Sequence, residues 1–296
     1  MNNIDINWRD YLELTKPKVV VLLMVTAIAG MFLSTNPAGM VPINILLLGS
    51  LGLAMAMAAS AVINHVVDQE IDAVMSRTHN RPVATGKIKP QNAVVFALAL
   101  TVFSLLILDQ AINRLTAVLT LFGVIGYAGI YTFYLKRATP QNIVIGGLAG
   151  AIPPMLGWTA VTGTLDPEAF ALVLIIFIWT PPHFWALAIH RQKEYAKAEI
   201  PMLPVTHGEE FTKTNILYYT ILLFVSALIP FIIGMSGFIY LVSAFLLGLV
   251  FLIYAVRLKY FPNTTLPMKT FGYSITYLFL LFTALLVDHY FPIRWV

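Results

Sequence analysis

Nine apolar stretches, each about 20 residues long, recur along this 296-residue chain at 17–34, 43–63, 92–109, 114–134, 142–163, 168–190, 214–234, 237–256 and 271–290. A helix of about that length crosses the roughly 30 Å of hydrocarbon in a bilayer. Inside lipid every backbone N–H and C=O must find its partner within the protein, so only helices and closed barrels span. Barrel strands alternate apolar and polar residues over about ten positions, and these segments do not. The expectation is an all-α polytopic membrane protein, a bundle of nine transmembrane helices in one domain covering residues 1–296. Composition agrees: 11% of residues are charged, against about 25% in soluble domains, too few to coat a soluble surface. A soluble enzyme, a disordered chain and a fibrous repeat are thereby excluded. The absence of cysteine removes disulfides, thiolate nucleophiles and Cys-ligated metals.

Basic residues orient such a chain. Sixteen of the eighteen fall on the N-terminal side of the nine segments, and only Arg114 and Arg294 on the other. The positive-inside rule then puts the N-terminus in the cytoplasm and the C-terminus outside. The net charge of +4 includes no basic run with interleaved aromatics, so no nucleic-acid partner is expected. The opening MNNIDINWRDYLELTK has neither the basic-then-apolar build of a cleavable signal nor the acid-poor build of a transit peptide. Trp8, Tyr11 and Leu12 suit a short helix lying in the interface, with a frayed polar end as the alternative.

Two cytoplasmic loops are long, 65–91 and 191–213. Both carry one short pattern, Pro82-Val83-Ala84-Thr85-Gly86 and Pro204-Val205-Thr206-His207-Gly208. Their offset spans four helices, so helices 1–4 and 5–8 read as two related halves, with Asp72 on the register of Glu194. Just before the first loop the chain reads Asn64-His-Val-Val-Asp68-Gln-Glu-Ile-Asp72. Spacings of four place Asn64, Asp68 and Asp72 on one helical face. Two carboxylates and an amide oxygen are hard ligands of the kind Mg²⁺ takes alongside substrate phosphates. Arg77 and Arg81 follow, and guanidinium forks match phosphate oxygens. Acids that can hold Mg²⁺ followed by paired arginines point to a diphosphate site. The bland reading is a solvated helix end beside topology-setting arginines.

The second loop reads Arg191-Gln-Lys193-Glu194-Tyr195-Ala-Lys197-Ala-Glu199. It offers a second metal ligand, the far side of the diphosphate, or ordinary loop salt bridges. His183 follows Pro181 and Pro182 inside an apolar segment, where a broken helix can line a cavity. Phe122, Tyr127, Tyr131 and Tyr134 either line an internal chamber or pack.

Asn64-x-x-x-Asp68-x-x-x-Asp72 followed by Arg77-Thr-x-x-Arg81-Pro82 resembles the UbiA-type intramembrane prenyltransferases. Tyr11-Leu-x-Leu-Thr15-Lys16-Pro17, Asn80-Arg81-Pro82, Pro181-Pro182-His183-Phe184-Trp185 and Lys193-Glu194-Tyr195 are similar to the branch that farnesylates protohaem IX, the haem O synthases. The resemblance runs from about residue 10 to 290. It implies a nine-helix bundle in a bacterial inner membrane, with the site on the cytoplasmic side. It also implies Mg²⁺-dependent transfer of a farnesyl group from farnesyl diphosphate to a vinyl group of haem B, with membrane lipid around the chain. A haem A synthase or terminal-oxidase assembly would take the product. By this resemblance Asn64, Asp68 and Asp72 hold the metal. Arg77, Arg81 and Glu194 act with them, and Arg191, Lys193, Tyr195, Lys197 and His183 contact substrate, His183 as a haem contact or else as a kink-stabilising donor. Most of the superfamily carries Asp-x-x-x-Asp in the second loop, whereas here Ala198 stands four residues after Glu194. That single-acid form favours the haem branch over prenyltransferases acting on aromatic quinone precursors. A secondary transporter would also show related halves and broken helices, but its sites lie at the bilayer midplane, and these acids lie at a membrane edge.

Overall fold

The computed structural model describes residues 7–76, 78–261 and 263–292, and among these every regular element is helical. Arg77 and Arg294, named above, lie outside the described residues. A short helix α1 (Trp8–Leu14) opens the chain, capped by Asn7 and Asp10 in a reciprocal capping box. Trp8 and Leu12 stand exposed on it. A 50° bend leads into α2 (Pro17–Leu33). Then come α3 (Ile45–Val67), short α4 (Gln69–Val74), α5 (Pro90–Ile112), α6 (Arg114–Ala138), α7 (Asn142–Thr162) and α8 (Pro167–His190). Two short helices, α9 (Gln192–Lys197) and α10 (Leu203–Thr206), precede α11 (Gly208–Ile232), α12 (Phe238–Tyr260) and α13 (Leu266–Tyr290).

Eight of these helices are individually long and apolar enough to cross a membrane, and the bent pair α1–α2 passes the same test together. The chain is an integral membrane protein. Several boundaries differ from the sequence reading. The helix expected over 43–63 continues to Val67, and the one expected from 214 begins at Gly208, so the second loop is shorter than it reads.

The bundle is arranged around α8, whose apolar window is 78% buried, while α5 and α6 at 17% face outward. Lipid offers no hydrophobic drive for helix to meet helix, so contact depends on close steric fit. Glycine supplies it between α2 and α7. A Cβ at Gly157 would sit 1.8 Å from the Ala27 carbonyl oxygen, and one at Gly30 2.1 Å from that of Pro154. At the opposite edge Asp288 on α13 accepts from the backbone N–H groups of Gly237 and Tyr240. It caps α12 from a neighbouring helix.

Candidate active site

The α3 helix stops at Asp68, where the backbone leaves the α region (φ −87°, ψ 5°) before α4 resumes at Gln69. The break leaves the face intact: Asp68 N–H still reaches the Asn64 carbonyl (3.0 Å) and Asp72 N–H the Asp68 carbonyl (2.7 Å). Asn64, Asp68 and Asp72 thus stand in one column, each no more than 5% exposed. Carboxylates this deep require cations, and three different elements supply them.

Lys136, near the end of α6, donates to Asp68 Oδ2 at 2.5 Å. Arg81 brings one nitrogen, Nη1, to both oxygens of Asp72, at 2.8 and 2.7 Å. Lys16 sits in the break between α1 and α2 and donates to Asn64 Oδ1. It adopts left-handed backbone geometry (φ 49°, ψ 61°), which a lysine rarely takes and which is found where function demands it. Asn64 Nδ2 then donates to Asp68 Oδ2 at 2.7 Å. One oxygen is left over: Asp68 Oδ1 is buried without a hydrogen-bond partner.

Lys16 was quoted above only within a motif, and Lys136 was counted only as a topology charge. Lys16 meets the Asn64 amide and Lys136 the Asp68 carboxylate, each far away along the chain. The one signal for them was arithmetical, since two acids at a membrane edge need cations from somewhere.

The second loop docks beside the first. Glu194 Oε2 accepts from Ser76 Oγ at 3.3 Å and faces Arg191 Nη1 at 3.6 Å. Tyr195 is buried in α9, while Lys193 and Lys197 are exposed, and among the described residues no ion pair engages either. Glu194 is therefore gathered with Arg191 and Ser76, and the two lysines stand apart from it.

Below the cluster lies a cavity of about 380 Å³ that begins at Lys16 and Ser60 and runs inward past Tyr127, Tyr131, Ile152 and Trp179 to Leu53 and Thr120. Its wall is almost wholly apolar. Tyr127 and Tyr131 face each other across 5.5 Å. Gly146 makes room for the Tyr131 ring, which an added Cβ would strike at 2.1 Å. Both tyrosines lie on a stretch of π-helix, Ile125–Leu135, a distortion frequent at functional sites. Phe122 and Tyr134 are instead exposed, at 65% and 67%. His183 lines the same cavity, its ring stacked between Trp179 (4.2 Å) and Phe271 (4.5 Å).

A buried column of two carboxylates and an amide met by three cations, one of which (Lys16) also lines an apolar chamber, can take a ligand with an anionic head and a hydrocarbon tail. A protein named protoheme IX farnesyltransferase from Alcanivorax borkumensis is 66% identical over 97% of this chain and 95% of its own length. One of the same name from Marinobacter nauticus is 60% identical over 96% and 94%. Among solved structures, one described as a digeranylgeranylglyceryl phosphate synthase superposes with a TM-score of 0.80 at 21% identity, over 95% of this chain and 98% of that one. A UbiA homologue from Archaeoglobus fulgidus bound to GPP and Mg²⁺ gives 0.64 at 18%, over 93% and 99%. The model of the UbiA prenyltransferase family matches residues 23–286, and with relatives this similar along nearly its whole length the chain belongs to that family.

Proposed function

We propose that this chain transfers the farnesyl group of farnesyl diphosphate to a vinyl group of haem B, releasing diphosphate. The observation that carries the reading is the meeting of Lys16, Arg81 and Lys136 with Asn64, Asp68 and Asp72, with Lys16 also lining an apolar cavity. Relatives at 57–66% identity bear the name protoheme IX farnesyltransferase, which supports both substrates.

The donor set suits Mg²⁺. It is all oxygen, with two carboxylates and an amide, and Asp68 Oδ1 is buried and unpartnered. The A. fulgidus homologue of the same fold is described as bound to Mg²⁺. Asn64, Asp68 and Asp72 would hold the ion, which would supply neutralising charge to the departing diphosphate. Arg81 and Lys136 then exchange their carboxylate partners, and Lys16 the Asn64 amide, for diphosphate oxygens, so charge that grows on the leaving group meets fixed donors. Arg77 adds a further guanidinium. Glu194, tied to Ser76 and Arg191, holds the second loop against the first and sets where the diphosphate lies, with Lys193, Tyr195 and Lys197 completing that side. The apolar chamber keeps water from the farnesyl carbon until the electron-rich vinyl carbon bonds to it as its bond to diphosphate breaks. Water then adds to the cation left on the inner vinyl carbon and loses a proton, which gives the hydroxyl of the product, and His183 contacts the haem.

The chain forms one domain of nine spans in the inner membrane, with α1–α2 as the first, the N-terminus and this site cytoplasmic, and the C-terminus outside. The distribution of basic residues supports that orientation. Gly86 and Gly208, at matching places in the two loop motifs, both take positive φ (75° and 80°), which supports two related halves. Incubation of the purified protein with haem B, farnesyl diphosphate and Mg²⁺ tests the proposal. A product heavier by one hydroxylated farnesyl group, with diphosphate released in equal amount, is expected. Farnesylation of an aromatic quinone precursor with haem left unchanged would overturn it.

A further inference from the structure

The hydrogen bonds around His183 determine which of its nitrogens carries the proton. Ser274 Oγ lies 2.6 Å from the Phe271 carbonyl oxygen. A carbonyl cannot donate, so the single hydroxyl proton of Ser274 is spent there. His183 Nδ1 lies 2.7 Å from the same Oγ, and with that proton already committed the imidazole must be the donor. His183 is therefore the Nδ1–H tautomer, and its Nε2 keeps a lone pair.

No hydrogen bond engages Nε2 among the described residues. The ring is 91% buried, stacked on both faces, and part of the cavity wall. A ring nitrogen lone pair that no protein donor engages, on a residue that lines the cavity, is free to meet a ligand there. The arrangement has the form that metal-binding histidines take: one ring nitrogen donates to an orienting partner, which fixes the tautomer and raises the basicity of the other. No group of three His, Cys, Asp or Glu side chains able to hold a metal accompanies it among the described residues, so a free ion has no cage here. An iron already chelated by four porphyrin nitrogens needs no cage, only an axial donor.

We propose that His183 Nε2 is the axial ligand to the iron of the haem substrate, with Ser274 as the positioning residue that aims it. This rests on the haem reading above and deepens it. Ligation at one axial position seats the porphyrin beside Trp179 and Phe184, which line the cavity with His183, so that its edge, where the vinyl groups are, faces the space that the farnesyl tail enters. A single, neutral ligand also lets the product leave.

Titration of the purified protein with haem B, followed through its Soret and visible bands, tests the assignment beside a parallel titration with metal-free protoporphyrin IX. The wild-type protein should give a histidine-ligated spectrum. His183→Ala should lose that spectrum and bind haem B at least about tenfold more weakly, while binding protoporphyrin IX as before. Added imidazole should restore the spectrum in the vacated space. Ser274→Ala should keep a ligated spectrum with weakened affinity. An unchanged spectrum in His183→Ala overturns the ligation alone, and equal loss of both porphyrins shows a packing role and overturns it too. A wild-type protein that binds neither porphyrin overturns the haem reading itself.

Discussion

Each buried acid in the site is paired with one particular cation, Asp68 with Lys136 and Asp72 with Arg81, and this makes single substitutions informative. Breaking the Asp68–Lys136 pair by Lys136→Met strands a carboxylate that is 2% exposed, a loss of about 3–5 kcal/mol for a buried pair. Adding Asp68→Asn should return most of that stability, because the double variant buries no unpaired charge, yet leave the enzyme inactive. Thermal melting in detergent and product formation, measured side by side, check both halves. Restored activity in the double variant would show that the pair is structural. Glu194 makes a different case, since its partners are Ser76 and Arg191 rather than the acid column. Glu194→Gln should lower turnover strongly, because a misplacement of about 1 Å costs roughly 10²-fold in rate, with little change in the Mg²⁺ concentration giving half-maximal rate. A large shift of that midpoint at preserved maximal rate would make Glu194 a metal ligand.

Helices α2 and α7 meet where neither tolerates a side chain. Gly157→Leu must push a whole side chain into the Ala27 carbonyl, already 1.8 Å from the position of a Cβ, and backbone cannot yield as a flexible side chain does. We expect it to abolish folded protein, read as loss of the monodisperse peak in size-exclusion chromatography. Gly123→Ala is the matched control, because nothing lies within 4 Å of its added Cβ. That variant should melt at or slightly above the wild-type temperature, since alanine is the better helix former. The α3–α4 break belongs to this scale too. The spacing of four predicted the acid column, and it survives, but the column crosses the end of one helix and the start of the next. The spacing of four gives no sign of such a break, because it runs unchanged from Asn64 through Asp68 to Asp72.

The arrangement of the whole chain is tested by where its ends and loops stand. A reporter fused after Val296 should read as external, and one inserted in the connection between α9 and α11 as cytoplasmic. Both on one side would remove the nine-span count. The cavity is a property of this scale alone, since its wall draws on α2, α3, α6, α7 and α8 and no one of them reveals it. Of the four aromatics considered for that wall, Tyr127 and Tyr131 line it and Phe122 and Tyr134 do not, a division set by the rotation of α6 against its neighbours.

The sequence by itself determined that this is a helical membrane protein, roughly where each span lies, and that Asn64, Asp68 and Asp72 share a face. Hydropathy and helical period are local quantities, readable from residues within a few turns of one another. Only the tertiary structure decided which cations answer those three side chains. Lys16 and Asn64 are 48 positions apart, Lys136 and Asp68 are 68 apart, and the Ser274 that aims His183 is 91 away from it. Such pairs depend on how helices rotate and slide against each other until small residues let them close, and nothing in the spacing along one helix carries that information.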